Sequence, residues 1–222
     1  MQINSFRFRR GDLPSAGREA VSREAKMYKK QLKLQKILCL LAIGASVLIF
    51  LYALGIMTDL YDTLYSTMRN PADLTQTDVP GSIVYYNMQT FNAYFLKCSI
   101  VLILLACLLF VTNTHIRRKY YIGNYISVAA FVIAHFYVAF ESHGYIEAYK
   151  ERFLRVDFEA LKAHADLWKT AYTESTFWFD AHYFVFALSL LVCVGLVACT
   201  IWKMRLMKEE KALIAQGKEA KA

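Results

Sequence analysis

Residues 37–58 read ILCLLAIGASVLIFLYALGIMT, an unbroken apolar run without a charge between Lys36 and Asp59. A helix needs about 17–25 such residues to cross a bilayer, and lipid offers a bare backbone no hydrogen-bond partner, so a stretch of this kind spans as a helix. Three more follow. Residues 98–114 lie between Lys97 and His115, with Phe91 to Leu96 able to lengthen the span outward. Residues 120–140 contain only His135 as an ionisable group of the Asp, Glu, Lys, Arg and His set, and residues 183–202 contain none. One or two such runs fit a soluble helical core; four in 222 residues do not.

Charge orients the spans. Residues 1–36 carry ten Lys/Arg against three acids, 115–119 hold Arg117, Arg118 and Lys119, and 203–222 are again net basic. Residues 59–96 and 141–182 are net acidic. Lys and Arg accumulate in cytoplasmic loops. The expected fold is therefore an all-α integral membrane protein, with four transmembrane helices in an antiparallel bundle and a small extracytoplasmic helical cap. In chain order this gives a cytoplasmic basic tail and amphipathic helix over 1–36, and spans at 37–58, 94–114, 120–140 and 183–202. Outer segments occupy 59–93 and 141–182, with a cytoplasmic loop at 115–119 and a basic cytoplasmic tail at 203–222.

Composition agrees. Hydrophobic residues make up 57% of the chain and charged ones 20%, with mean hydropathy +0.29, too apolar for a disordered segment. The pI near 9.2 follows from topology, so no nucleic-acid partner is expected. The five cysteines (Cys39, Cys98, Cys107, Cys193, Cys199) lie in or at the edge of spans, and neither outer segment contains one. Outer domains in oxidising compartments are commonly stapled by disulfides. Four-span families built that way, such as tetraspanins, claudins and connexins, are thereby excluded. The expected location is the plasma membrane of a bacterium, with the cysteines as small buried hydrophobes. No cleaved leader is expected, because the first apolar run is long and starts after 36 mostly polar residues.

Between the spans the pattern is helical. Residues 18–36 lack Gly and Pro, and Val21, Ala25, Tyr28 and Leu32 fall on one face; this is either an interfacial helix on anionic lipid or an extension of the first span. The first span is expected to run on through Leu60 and Leu64. Pro71 and Pro80–Gly81 mark turns, with Ser82 as an N-cap. Farther on, Ile146, Tyr149, Phe153, Val156, Ala160, Ala163, Leu167 and Ala171 recur at threes and fours, the spacing of a buried stripe. The chain must return to the same membrane face, so two helices, 144–155 and 158–177, are expected, the second capped by Asp157 and both packed on 59–93. Tyr85, Tyr86, Tyr94, Phe136, Tyr137, Trp178 and Tyr183 mark the outer interface, and Gly44, Gly55, Gly123 and Gly195 suit close helix packing.

The candidate polar site consists of His135, inside the third span, and Lys97, Glu141, His143, Asp180 and His182 at the outer rim. An intramembrane ionisable residue is a functional hypothesis by default, and imidazole with carboxylate can ligate a transition metal. Yet Glu141 and His143 point about 200° apart on a helix, and the ordinary reading is a solvated rim with ion pairs, Lys97 snorkelling or pairing with Glu141 or Asp180. No nucleotide-binding, hydrolase, metalloprotease or redox motif is present. No span carries an acid or a proline. Neither catalysis nor any cofactor is assigned. The expected function is a non-catalytic accessory or structural subunit of a larger membrane complex such as a transporter, with the bilayer and other membrane-protein subunits as partners. A homo-oligomeric pore lined by Ser46, Ser99, Ser127 and Ser189 is the first alternative, and a haem or quinone carrier built on His135 the second.

Overall fold

The computed structural model describes residues 15–58, 79–114, 121–168 and 173–219, and every element among them is a helix. Helix α1 is Ser15–Thr58, α2 Ile83–Thr114, α3 Tyr121–Phe153, α4 Phe158–Trp168 and α5 Phe177–Glu219. The four long ones are long and apolar enough to cross a membrane, and the chain fits a multi-pass membrane protein. At ~1.5 Å per residue α1 extends about 66 Å, roughly twice the hydrocarbon thickness of ~30 Å. The residues before Lys36 thus continue the first span as one rod. Of the face read from the sequence, Tyr28 and Leu32 are only half-buried; Gln31 and Gln35 are the fully buried ones.

Helix α1 packs on α2 and α5, and α3 packs on the same two. The helices therefore form a ring in which α1 and α3 face each other across the diagonal. In α2 the inward residues Met88, Phe91, Phe95, Ser99, Leu102, Ala106, Leu109 and Asn113 recur at threes and fours, the spacing of one helical face. Two apolar clusters fill the ring. One, at the end where Pro80 lies, gathers Tyr52, Phe91, Phe95, Phe153, Phe179 and Phe186. Tyr52 meets Phe95 and Phe186 edge-on at 5.8 and 6.3 Å between ring centroids, contacts worth ~0.5–1.5 kcal/mol each beyond area burial. The other, toward the Gln31 end, is smaller in its side chains: Cys39, Ala42, Ala106, Leu109, Phe131, Cys193 and Leu196.

The turn before α2 is built by Gly81, whose φ of 85° lies where side chains are disfavoured. A Cβ there would also meet Arg155 O at 2.9 Å, because the chain between α3 and α4 presses on this turn. The Asp157 amide donates to Pro80 O at 3.0 Å. Asp157 caps α4 as expected, its Oδ1 accepting from the Ala160 amide at 3.0 Å. Ser82 precedes α2 but is no side-chain cap: its hydroxyl is buried and has no partner among the described residues.

Three expectations need correction. The helix expected at 144–155 is not separate; α3 runs through Gly144 to Phe153. The stripe holds for Ile146, Phe153 and Val156 but breaks at the turn, after which Leu161 and Ala165 turn inward while Ala163 and Leu167 are exposed. Of the four glycines, only Gly55 and Gly195 meet close neighbours, Trp178 and Leu38, whereas Gly44 and Gly123 face open space. In addition, Cys107 is exposed and Cys98 half-buried, unlike Cys39, Cys193 and Cys199. Tyr85 is buried against Phe153, while Tyr94, Phe136, Tyr137 and Tyr183 are exposed. The proposed continuation through Leu60 and Leu64, Pro71, and Ala171 lie outside the described residues.

Candidate functional site

Polar groups are buried at three levels. In the middle, between the two apolar clusters, His135 is sealed from solvent. Its Nδ1 lies 2.9 Å from Phe131 O, and its Nε2 lies 3.3 Å from Ser46 Oγ across the diagonal. A carbonyl only accepts, so Nδ1 carries the proton and Nε2 turns its lone pair to the hydroxyl, whose single proton is divided between Nε2 and Ala42 O at 2.9 Å. His135 is thereby held as a neutral ring.

At the Gln31 end an amide chain crosses the bundle. Gln31 Nε2 donates to Gln35 Oε1 at 2.8 Å, Gln35 Nε2 to Asn113 Oδ1, and Asn113 Nδ2 to Ser127 Oγ at 3.0 Å. Gln31 Nε2 also lies 3.5 Å from Cys199 Sγ, so α1, α2, α3 and α5 all contribute. These amides sit at the edges of the apolar runs, where a polar residue gives no sequence-level contrast with ordinary flanking residues.

At the Pro80 end the rim residues separate into two sets. Asp180 pairs with Lys150 and accepts from Thr176 Oγ1 at 2.7 Å. Glu141 is reached by Tyr94 Oη at 3.4 Å. Lys97 is exposed and pairs with neither Glu141 nor Asp180; the ion pair at this rim is that of Lys150 with Asp180. His143 and His182 do come together. His143 Nδ1 lies 2.8 Å from His182 Nε2, while His182 Nδ1 donates to Phe179 O. That second bond sets the tautomer: Nε2 of His182 is the acceptor and His143 Nδ1–H the donor.

No protein-family model, curated protein or solved structure matches this chain. The site is therefore read from its own geometry.

Glu147, which sequence reasoning passed over, completes this cluster. It stands one helical turn after His143, so both project from the same face of α3. Its Oε1 lies 3.8 Å from His182 Nε2 and accepts from Tyr183 Oη at 2.9 Å. The three ligand atoms of His143, Glu147 and His182 lie within 4.8 Å of one another. The signal was present as His-x-x-x-Glu, but it becomes a shared face only if α3 continues unbroken past residue 140. Of the six predicted site residues, then, the structure joins His143 and His182, and sets His135, Lys97, Glu141 and Asp180 apart from them.

Proposed function

We propose that this protein is a non-catalytic subunit of a larger membrane complex, held in a bacterial plasma membrane with both termini in the cytoplasm. Its helices run antiparallel, with the Pro80 end outside as a small helical cap. The opposed senses are supported by pairs such as Gln35 with Asn113 and Tyr52 with Phe95: an early residue of α1 meets a late one of α2, and the reverse.

The observation that carries the docking role is apolar exposure beyond the charge-free spans. Leu154, Leu167 and Phe177 are 58, 76 and 61% exposed, although Phe153, Val156, Leu161 and Phe179 around them are buried. Side chains along a span can face lipid, but these three belong to the part expected to stand in water, where large exposed apolar side chains are candidate contact points. The partner is another membrane-protein subunit reaching over the same end.

The pore reading is less well supported. Ser46, Ser99, Ser127 and Ser189 are all buried within one chain, and the first three bond to their own helix backbone, so none faces an axis between copies. Haem ligation through Nε2 of His135 would require displacing the Ser46 hydroxyl from the middle of the bundle.

A photoreactive residue at Leu167 or Phe177, activated in native membranes, tests the proposal. Discrete adducts with a second membrane protein there, with only lipid adducts from Leu104 in mid-span, support it. Lipid adducts alone at all three positions refute it, and adducts with a second copy of the chain return the weight to the homo-oligomer.

A further inference from the structure

We propose that His143, Glu147 and His182 form a binding site for one divalent transition-metal ion, with Zn²⁺ the ion their donors suit, bridging α3 and α5. This is independent of the docking role.

Two imidazoles and a carboxylate from neighbouring helices are a borderline-soft donor set that fits Zn²⁺ and disfavours Mg²⁺ and Ca²⁺, which take oxygen. With bonds of about 2.0–2.2 Å in a tetrahedral site, ligand atoms stand ~3.3 Å apart. The observed separations of 2.8 Å between the two histidines and 3.8 Å between Glu147 and His182 bracket that value. Two of the three separations thus lie close to that value, and all three ligand atoms fall within 4.8 Å of one another.

The surroundings already hold the ligands. His182, fully buried, gives its second ring N–H to the Phe179 carbonyl, the outer-shell bond that orients ligating histidines and raises their basicity. Tyr183 Oη donates to the Glu147 carboxylate and fixes its orientation. Lys150, the nearest cation on the same helix, is engaged by Asp180, so the cluster keeps a net negative charge to meet a dication. For the metal to bind, His143 moves its ring proton from Nδ1 to Nε2; the imidazole stays neutral and its Nδ1 lone pair replaces the N–H that faced His182. Three protein ligands leave one position for water or for a group from a partner.

The full chain is purified in mild detergent on a tag without histidines, and Zn²⁺ binding is measured by titration and by metal content after dialysis. Co²⁺ serves as the spectroscopic probe of tetrahedral geometry. One Zn²⁺ per chain is expected, with affinity at least tenfold weaker in His143→Ala and Glu147→Gln, both at partly exposed positions where the fold is not at stake. His182→Gln is expected to abolish binding. Cys107→Ser and Glu141→Gln, outside the cluster, are expected to bind as the parent does. Unchanged Zn²⁺ affinity in His143→Ala and Glu147→Gln overturns the proposal, as does parent protein that retains no metal or a Co²⁺ spectrum of octahedral form.

Discussion

Gly55→Ala is expected to be destabilising, although alanine is the better helix former. A Cβ at position 55 would stand 2.1 Å from both Cη2 and Cζ3 of Trp178. Carbon atoms rest at about 3.5–4.0 Å, so the indole must retreat by roughly 1.4 Å. It is not free to do so cheaply. The Trp178 carbonyl accepts from Tyr52 Oη at 2.9 Å, and its ring lies against those of Tyr52 and Phe177 at 6.4 and 5.3 Å. Overpacking of this kind costs about 1–3 kcal/mol, against a helix gain of up to ~1 kcal/mol for losing a glycine. The net expectation is a loss of up to about 2 kcal/mol. Gly44→Ala is the internal control, since nothing lies within 4 Å of its added Cβ, and it is expected to be neutral or stabilising by up to ~1 kcal/mol. Reversible unfolding in mixed detergent–SDS micelles measures both, and repeating Gly55→Ala in a Trp178→Ala background closes a double-mutant cycle. In that background the sign should reverse. If Gly55→Ala behaves as Gly44→Ala does, or if its cost survives removal of the indole, the packing argument is wrong.

Other expectations follow from the same geometry. Asn113→Ala removes the acceptor of Gln35 and the donor to Ser127, and should cost about 1–3 kcal/mol by leaving a buried amide unpaired; Gln35→Leu combined with Asn113→Leu should recover much of it in the same unfolding assay. Asp157→Ala should cost about 1 kcal/mol as a lost cap, read locally as faster hydrogen exchange at the Ala160 amide. Zn²⁺ affinity should fall as the solution is acidified, because protons compete with the metal for the imidazoles and the carboxylate. That dependence should become shallower in His143→Ala without disappearing, because His182 and Glu147 remain as ligands.

The spans were legible because bilayer-length apolar runs bounded by charge have few other readings. What the bundle buries was not. In a soluble helix the inward stripe is apolar against a polar background, but here the lipid side is apolar too: Leu104, Leu108 and Val111 face outward as freely as Leu102, Ala106 and Leu109 face inward. Inward positions are told apart by aromatic bulk, small size or polarity, as with Phe95, Ala106 and Asn113. Glu147 was missed for a different reason. The third span was expected to end at Phe140 and a separate helix to begin at Gly144, which takes Glu147 off the face of His143. The helix instead runs unbroken to Phe153, the turn comes at 154–157 with Asp157 as the cap, as expected, and the carboxylate stays in register. His143 and His182 were both singled out, but their meeting depends on the α3–α5 contact, which no local pattern encodes.

The bond between Ser46 and His135 has a bearing on biogenesis. It joins α1 to α3, which are not side-by-side neighbours in the ring, and it lies midway between the two apolar clusters. During insertion α1 is in the bilayer long before α3 arrives, and the two can meet at hydrogen-bonding distance only when α2 and α5 hold them at the correct spacing. The chemical state of the His135 ring is consequently a gauge of completed assembly. Its nuclear resonance, followed as the bundle closes, would report the moment at which four inserted helices become one folded protein.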